Sequence, residues 1–157
     1  MTDTERLISV LKEKNLTVST AESCTGGLIS GEITSVPGAS DVFGYGFVTY
    51  ANDAKTRILG VKKGTLKKFG AVSPQTALEM AVGARLVSRS DYAVSATGVA
   101  GPGGGSDEKP VGLVYIAVAS KNTAAVRENN FSGDRGEIRR AAVEEAIKLL
   151  LSEVTGK

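Results

Sequence analysis

Ser23 stands in the small-residue stretch Ala21-Glu22-Ser23-Cys24-Thr25-Gly26-Gly27, between a short β-branched run and a helical pattern. A nucleophile needs exposure, and a sharp strand-to-helix turn supplies it. The next helix is expected to begin near Thr25. Its free N–H groups favour negative charge, and with Gly26 and Gly27 they could hold a phosphate or a developing oxyanion. Ser23 or Thr25 as a helix N-cap and nothing more is the commoner role for such a residue. Cys24 lies beside Ser23 near the same helix start, where a thiol pKa can fall. Adjacent turn residues point different ways, however, and a lone Cys also serves as core packing.

A serine hydroxyl needs a base, and this chain has no His. Within one chain that excludes Ser-His-Asp and Cys-His catalysis, His-ligated zinc and a His proton shuttle. Acid–base work falls to Lys, Tyr, Asp, Glu or Cys. Tyr50 and Lys55, with Asn52 and Asp53 between them, form one candidate group. A lysine serves as base if its pKa falls from about 10.4 toward 7 or 8, which takes roughly 4 kcal/mol of burial or nearby positive charge. The plainer alternative is a surface lysine on a short helix.

Five glycines fall in the eight residues Gly98 to Gly105, directly after an apolar stretch that ends at Thr97. Such a loop at the carboxyl end of a strand is a common ligand site in open α/β sheets. Gly98, Gly101 and Gly103 leave backbone where side chains would obstruct. A mobile surface loop is the competing reading. Arg135 and Arg139 share a helix face at i and i+4 and could clamp a phosphate or carboxylate, or simply be solvated. Asp107 and Glu108 are two acids without a His, a weak metal site.

The surrounding elements are legible from period and punctuation. Thr4 to Lys14 reads as an amphipathic helix and Leu16 to Thr20 as a buried strand. Leu28 to Thr34 reads as a helix. Val42 to Ala51 reads as a strand, with Gly44 and Gly46 marking a bulge or a close approach. Asn52 or Asp53 is expected to cap a short helix over Ala54 to Leu59. Another short helix is expected over Gly64 to Phe69. Ser73-Pro74 opens a helix running to about Ser88. Tyr92 to Ala96, Val111 to Ala119 and Ala124 to Phe131 read as strands, the last two joined as a hairpin. Asp134 caps a final helix to about Ser152. Strands alternate with helices until the hairpin, which implies an α/β fold: a three-layer α/β/α sandwich with a mixed, mostly parallel sheet.

Composition agrees. A chain of 157 residues is the size of one domain, residues 1–157, and can bury a core without staples. A net charge of +2 gives no argument for a nucleic-acid or membrane partner. One Cys fits a reducing cytoplasm. No apolar run reaches the roughly 20 residues of a membrane span. Pockets of small α/β enzymes often sit at subunit contacts, so a homo-oligomer is expected.

Several motifs in order resemble the CinA C-terminal domain family. They are Thr20 to Gly27, Gly46-Phe47-Val48-Thr49-Tyr50-Ala51-Asn52-Asp53-Ala54-Lys55, Gly70-Ala71-Val72-Ser73, Thr97 to Gly104, Lys109-Pro110-Val111-Gly112, and Phe131-Ser132-Gly133-Asp134-Arg135. The resemblance runs along nearly the whole chain. It implies a three-layer sandwich of the anticodon-binding-domain-like type. It also implies hydrolysis of the carboxamide of nicotinamide mononucleotide to nicotinic acid mononucleotide and ammonia, with no metal or organic cofactor. Many members carry a further N-terminal domain, so this chain is expected to be the stand-alone amidase form. By position, the resemblance makes Ser23 the nucleophile and Lys55 and Tyr50 its catalytic partners. It puts Thr97 and the glycine run in the nucleotide pocket, with Arg135 and Arg139 as further contacts. Cys24 as nucleophile and a non-catalytic nucleotide-binding module are the alternatives.

Overall fold

The computed structural model describes residues Met1–Lys157. Its elements in chain order are α1 (Asp3–Lys14), β1 (Val18–Glu22), α2 (Leu28–Thr34), a 3₁₀ turn (Ala39–Asp41), β2 (Phe43–Val48), α3 (Asn52–Leu59), α4 (Lys63–Phe69), α5 (Pro74–Ser88), β3 (Tyr92–Gly98), β4 (Leu113–Ser120), β5 (Ala124–Asn130) and α6 (Arg135–Thr155).

The strands form one sheet in the order β2-β1-β3-β4-β5. β2, β1 and β3 are parallel, and β4 runs against both β3 and β5. Four strands therefore point one way and β4 points back, which is the expected mixed sheet in three layers. Alternation along each strand sorts the two faces. Val18, Val94, Val114, Ile116 and Val118 face α1, α2 and α6 in the larger core. The opposite face is made of Ala21, Ala93, Ala117 and Ala119, small enough for α5 to lie close through Ala77, Ala81 and Ala84. No helix is long and apolar enough to cross a membrane.

The helix ends follow local chemistry. Thr2 with Glu5 and Asp134 with Glu137 form capping boxes at α1 and α6. Ser73 caps α5 with Pro74 in its first turn, as the sequence predicts. The cap expected of Asn52 or Asp53 is not there: α3 starts at Asn52, and its N-cap, Ala51, offers no side-chain bond. Both readings of the β2 glycines hold, one each. Register shifts between Val18 and Ser19, so Gly44 has no partner on β1. At Gly46 a Cβ would stand 2.5 Å from Ser30 Oγ and 2.9 Å from Thr20 Oγ1.

β1 is the strand where connections change direction. From it the chain crosses by α2 to β2 on one side, then by α3–α5 to β3 on the other. The crevice beyond the carboxyl end of such a strand is where open α/β sheets bind ligands. Ser23 is the first residue past that end.

Candidate active site

The carboxyl ends of the three parallel strands converge. β1 ends at Glu22 and leads into Ser23, β2 leads into Thr49 and Tyr50, and β3 ends in the glycine run. Between them is a cleft of about 280 Å³ lined by Ser23, Cys24, Tyr50, Val72, the stretch Gly98–Gly101 with Gly103 and Gly104, and Arg135. The Ser23 N–H continues the β1–β3 ladder by donating to the Ala96 carbonyl at 2.9 Å. That bond fixes where the turn begins.

Lys55 lies on α3 and is 1% exposed, the largest fully buried side chain of the molecule. Its Nζ is 3.0 Å from Ser23 Oγ, 2.9 Å from the Thr49 carbonyl oxygen and 3.1 Å from the Tyr50 carbonyl oxygen. No carboxylate pairs with it. Burial pulls its pKa below the ordinary lysine value, because the charged form has lost its water. A surface lysine is thereby excluded.

Tyr50 departs from expectation. Lys55 binds its carbonyl, not its ring hydroxyl, so the side chain is no proton relay to the lysine in this geometry. The residue is 64% exposed at the cleft rim. Its hydroxyl is 3.4 Å from Arg135 Nη2, a long contact. Arg135 Nη1 also donates to the Gly101 carbonyl at 2.7 Å, so this arginine joins the glycine run to the Tyr50 rim. Arg139, one turn on, meets the other side of the turn that carries Ser23. Its Nε donates to the Cys24 carbonyl at 3.1 Å and its Nη2 to the Thr25 carbonyl at 3.2 Å. It braces the turn, and the turn comes close enough that a Cβ at Gly26 would stand 3.0 Å from Arg139 Nη2. Gly26 and Gly27 both have positive φ, at 57° and 106°.

Neither Ser23 nor Thr25 is a helix cap. α2 starts at Leu28, and its N-cap, Gly27, has no side chain to offer. Glu22 does that work instead. Its carboxylate is fully buried and accepts from Ile29 N at 2.8 Å, Ser30 N at 3.0 Å, Ser30 Oγ at 2.7 Å and Thr25 Oγ1 at 2.7 Å. The anion site expected at this helix start is therefore filled by the protein's own carboxylate. Sequence reasoning passed over Glu22. The one signal in the sequence is an acid set among small residues immediately before Ser23.

Donors for a substrate remain elsewhere. The N–H groups of Cys24, Thr25 and Gly27 find no main-chain acceptor, nor do those of Ala100, Gly101, Gly103 and Gly104. Gly98, Gly101 and Gly103 line the cleft as expected. Thr97 does not: it is buried and its hydroxyl donates to the Ala71 carbonyl at 2.8 Å, holding the Val72 wall. Asn52 is exposed at the start of α3 and outside the cleft lining. Cys24 shares the cleft wall but belongs to the larger core. Burial pushes its thiol up to about 11, the opposite of what a thiolate nucleophile needs.

The sequence and the fold recur in known proteins. A Caldicellulosiruptor bescii protein named as competence-damage inducible is 53% identical over 150 residues, which is 96% of this chain and 36% of that one. The chain thus spans about a third of the length of such relatives. Among solved structures, the competence/damage inducible protein CihA from Agrobacterium tumefaciens superposes with a TM-score of 0.94 at 51% identity, covering 96% of this chain and 92% of that one. A CinA superfamily protein from Escherichia coli gives 0.93 at 35% identity, covering 96% and 88%. The family model for the CinA C-terminal domain matches residues 2–154, and the chain belongs to that family.

Proposed function

We propose that this chain is an amidohydrolase that cleaves the carboxamide of nicotinamide mononucleotide, with Ser23 as nucleophile and Lys55 as its base. The observation that carries this reading is the set of three oxygens around Lys55 Nζ. An ammonium would donate to all three and keep no lone pair. A neutral amine donates its two hydrogens to the Thr49 and Tyr50 carbonyls, which turns its lone pair toward Ser23 Oγ. Burial favours that neutral form.

In the reaction, Ser23 Oγ attacks the carboxamide carbon as its proton passes to Lys55 Nζ. The tetrahedral oxyanion needs donors, and the unpaired N–H groups of the turn after Ser23 supply them. Lys55 returns its proton to the departing nitrogen, which leaves as ammonia. Water then attacks the acyl-enzyme, giving its proton to Lys55. Nicotinic acid mononucleotide departs and the serine hydroxyl is restored. The cationic pyridinium ring near Lys55 depresses its pKa further. Arg135 and the unpaired amides of the glycine run serve the phosphate, since Glu22 already fills the start of α2.

The test is ammonia release by purified protein, without added metal, from nicotinamide mononucleotide, free nicotinamide and the dinucleotide. The expected result is release from the mononucleotide that a Ser23→Ala control lacks. Equal traces from both proteins would reject the amidase in favour of a binding module.

A further inference from the structure

Glu22 is a buried acid that no step of this mechanism uses. A buried carboxyl group is costly unless its oxygens are hydrogen-bonded, and here both are. Its four donors all come from the segment Thr25–Ser30, so the carboxylate ties down the far side of the turn that carries Ser23. Its main chain is tied to the other half of the pair. The Glu22 carbonyl accepts from Thr49 N at 2.9 Å, and the Thr49 carbonyl in turn accepts from Lys55 Nζ. Ser30 Oγ extends the network to Thr20 Oγ1 at 2.7 Å on β1, beneath the close approach of Gly46.

We propose that Glu22 is the positioning residue that sets Ser23 against Lys55: its carboxylate fixes the turn bearing the nucleophile, and its carbonyl fixes the strand end that holds the lysine. Neutralising the carboxylate puts an amide N–H₂ among four donors. The turn then loosens, Ser23 leaves its register with Lys55, and water reaches the amine. The charged or titratable groups around Ser23 and Lys55 are Glu22, Cys24 and Arg139, with Tyr50 and Arg135 at the cleft rim. This inference rests on the Ser–Lys reading of the site but not on the identity of the substrate.

The test uses a small alkyl fluorophosphonate as a serine-directed probe, with Ser23 labelling followed by mass spectrometry across pH. Ser23 Oγ forms a bond to phosphorus, fluoride leaves, and the serine proton goes to Lys55. Glu22→Gln is expected to slow labelling about 100-fold, the cost of a misplaced reacting atom. Its pH midpoint should move up toward the ordinary lysine value as the amine is hydrated. A merely structural loss lowers the folded fraction but leaves the midpoint in place. Should Glu22→Gln not fold, Ser30→Ala removes one charge-assisted bond to the carboxylate and should slow labelling about tenfold. Wild-type rate and midpoint in whichever of these variants folds would overturn the proposal. So would a wild-type Ser23 that the probe does not label at all. Labelling without ammonia release would remove the amidase reading and leave the role of Glu22 standing.

Discussion

Lys55 Nζ lies 3.0 Å from Ser23 Oγ across 32 residues of chain, and the same nitrogen is held by two main-chain carbonyls of the β2–α3 connection. Apart from Ser23, the amine therefore touches backbone carbonyls alone. The proposed mechanism puts the chemistry on these two residues. Ser23→Ala should lower kcat by at least about a thousandfold, since residues acting as a unit fail together. Lys55→Met should fall to the same level, and the double variant no further. Cys24→Ala should keep most of the activity. An inactive Cys24 variant beside an active Ser23 variant, both shown to be folded, would reassign the nucleophile.

The pH dependence follows from the direction in which Lys55 is shifted. Activity needs the neutral amine, so kcat/KM should rise with pH and level off above the Lys55 pKa. Burial places that midpoint below the ordinary 10.5. Tyr50→Phe should leave the midpoint where it is, because its hydroxyl touches Arg135 and not Lys55. Stability carries the same sign. The unfolded chain keeps its lysine proton up to the ordinary value while the folded chain loses it earlier. Between the two pH values the unfolded state binds more protons, so stability rises with pH. Lys55→Met should abolish that part of the slope in denaturant titrations. A flat rate profile between about pH 6 and 10 argues against a titrating base.

The sandwich, the hairpin and the order of elements were legible because period and punctuation agree along most of the chain. Ser73-Pro74 and Asp134 gave their helix starts directly. The turn was legible as small residues and Lys55 as a candidate base, the missing His having removed its commonest rival. What the sequence hid was burial of polar groups. Ser19, Thr20 and Glu22 are all buried on β1, so a strand expected at Leu16–Thr20 runs to Glu22. Polar residues hide a strand end whenever hydrogen bonds satisfy them internally. The division of labour between the arginines was hidden for another reason. Positions i and i+4 share a face, but only the fold decides that Arg139 meets the turn while Arg135 meets the glycine run.

That division can be measured. Arg135 borders the cleft and keeps donors in reserve, so Arg135→Met should raise KM for the mononucleotide at least tenfold, the cost of one charge-assisted contact of about 1.5 kcal/mol or more. Its effect on a substrate analogue lacking the phosphate should be small. Arg139 spends its donors on the Cys24 and Thr25 carbonyls. Arg139→Met should therefore lower kcat more than it raises KM. The opposite assignment of the two effects would place the phosphate beside Arg139.

Packing far from the cleft should reach the same pair. α3 crosses α5 at Gly83, where a Cβ would overlap the Leu59 carbonyl. Leu59 closes the helix that carries Lys55, and it packs with Met80 and Ala84 of α5 in the smaller core. Backbone cannot move aside as a side chain can, so Gly83→Ala forces α3 outward. Overpacking of this kind costs about 1–3 kcal/mol, offset in part by the better helix propensity of Ala. A thermal melt should show the loss. The displaced helix also draws Lys55 from Ser23, so kcat should fall further than the folded fraction accounts for, with the Lys55 midpoint shifted upward as water enters. Gly64→Ala, on α4 with open space around it, is the control: it should leave kcat and the Lys55 midpoint unchanged and should not lower the melt. Full activity in a destabilised Gly83→Ala protein would show that α3 holds Lys55 independently of its seat on α5.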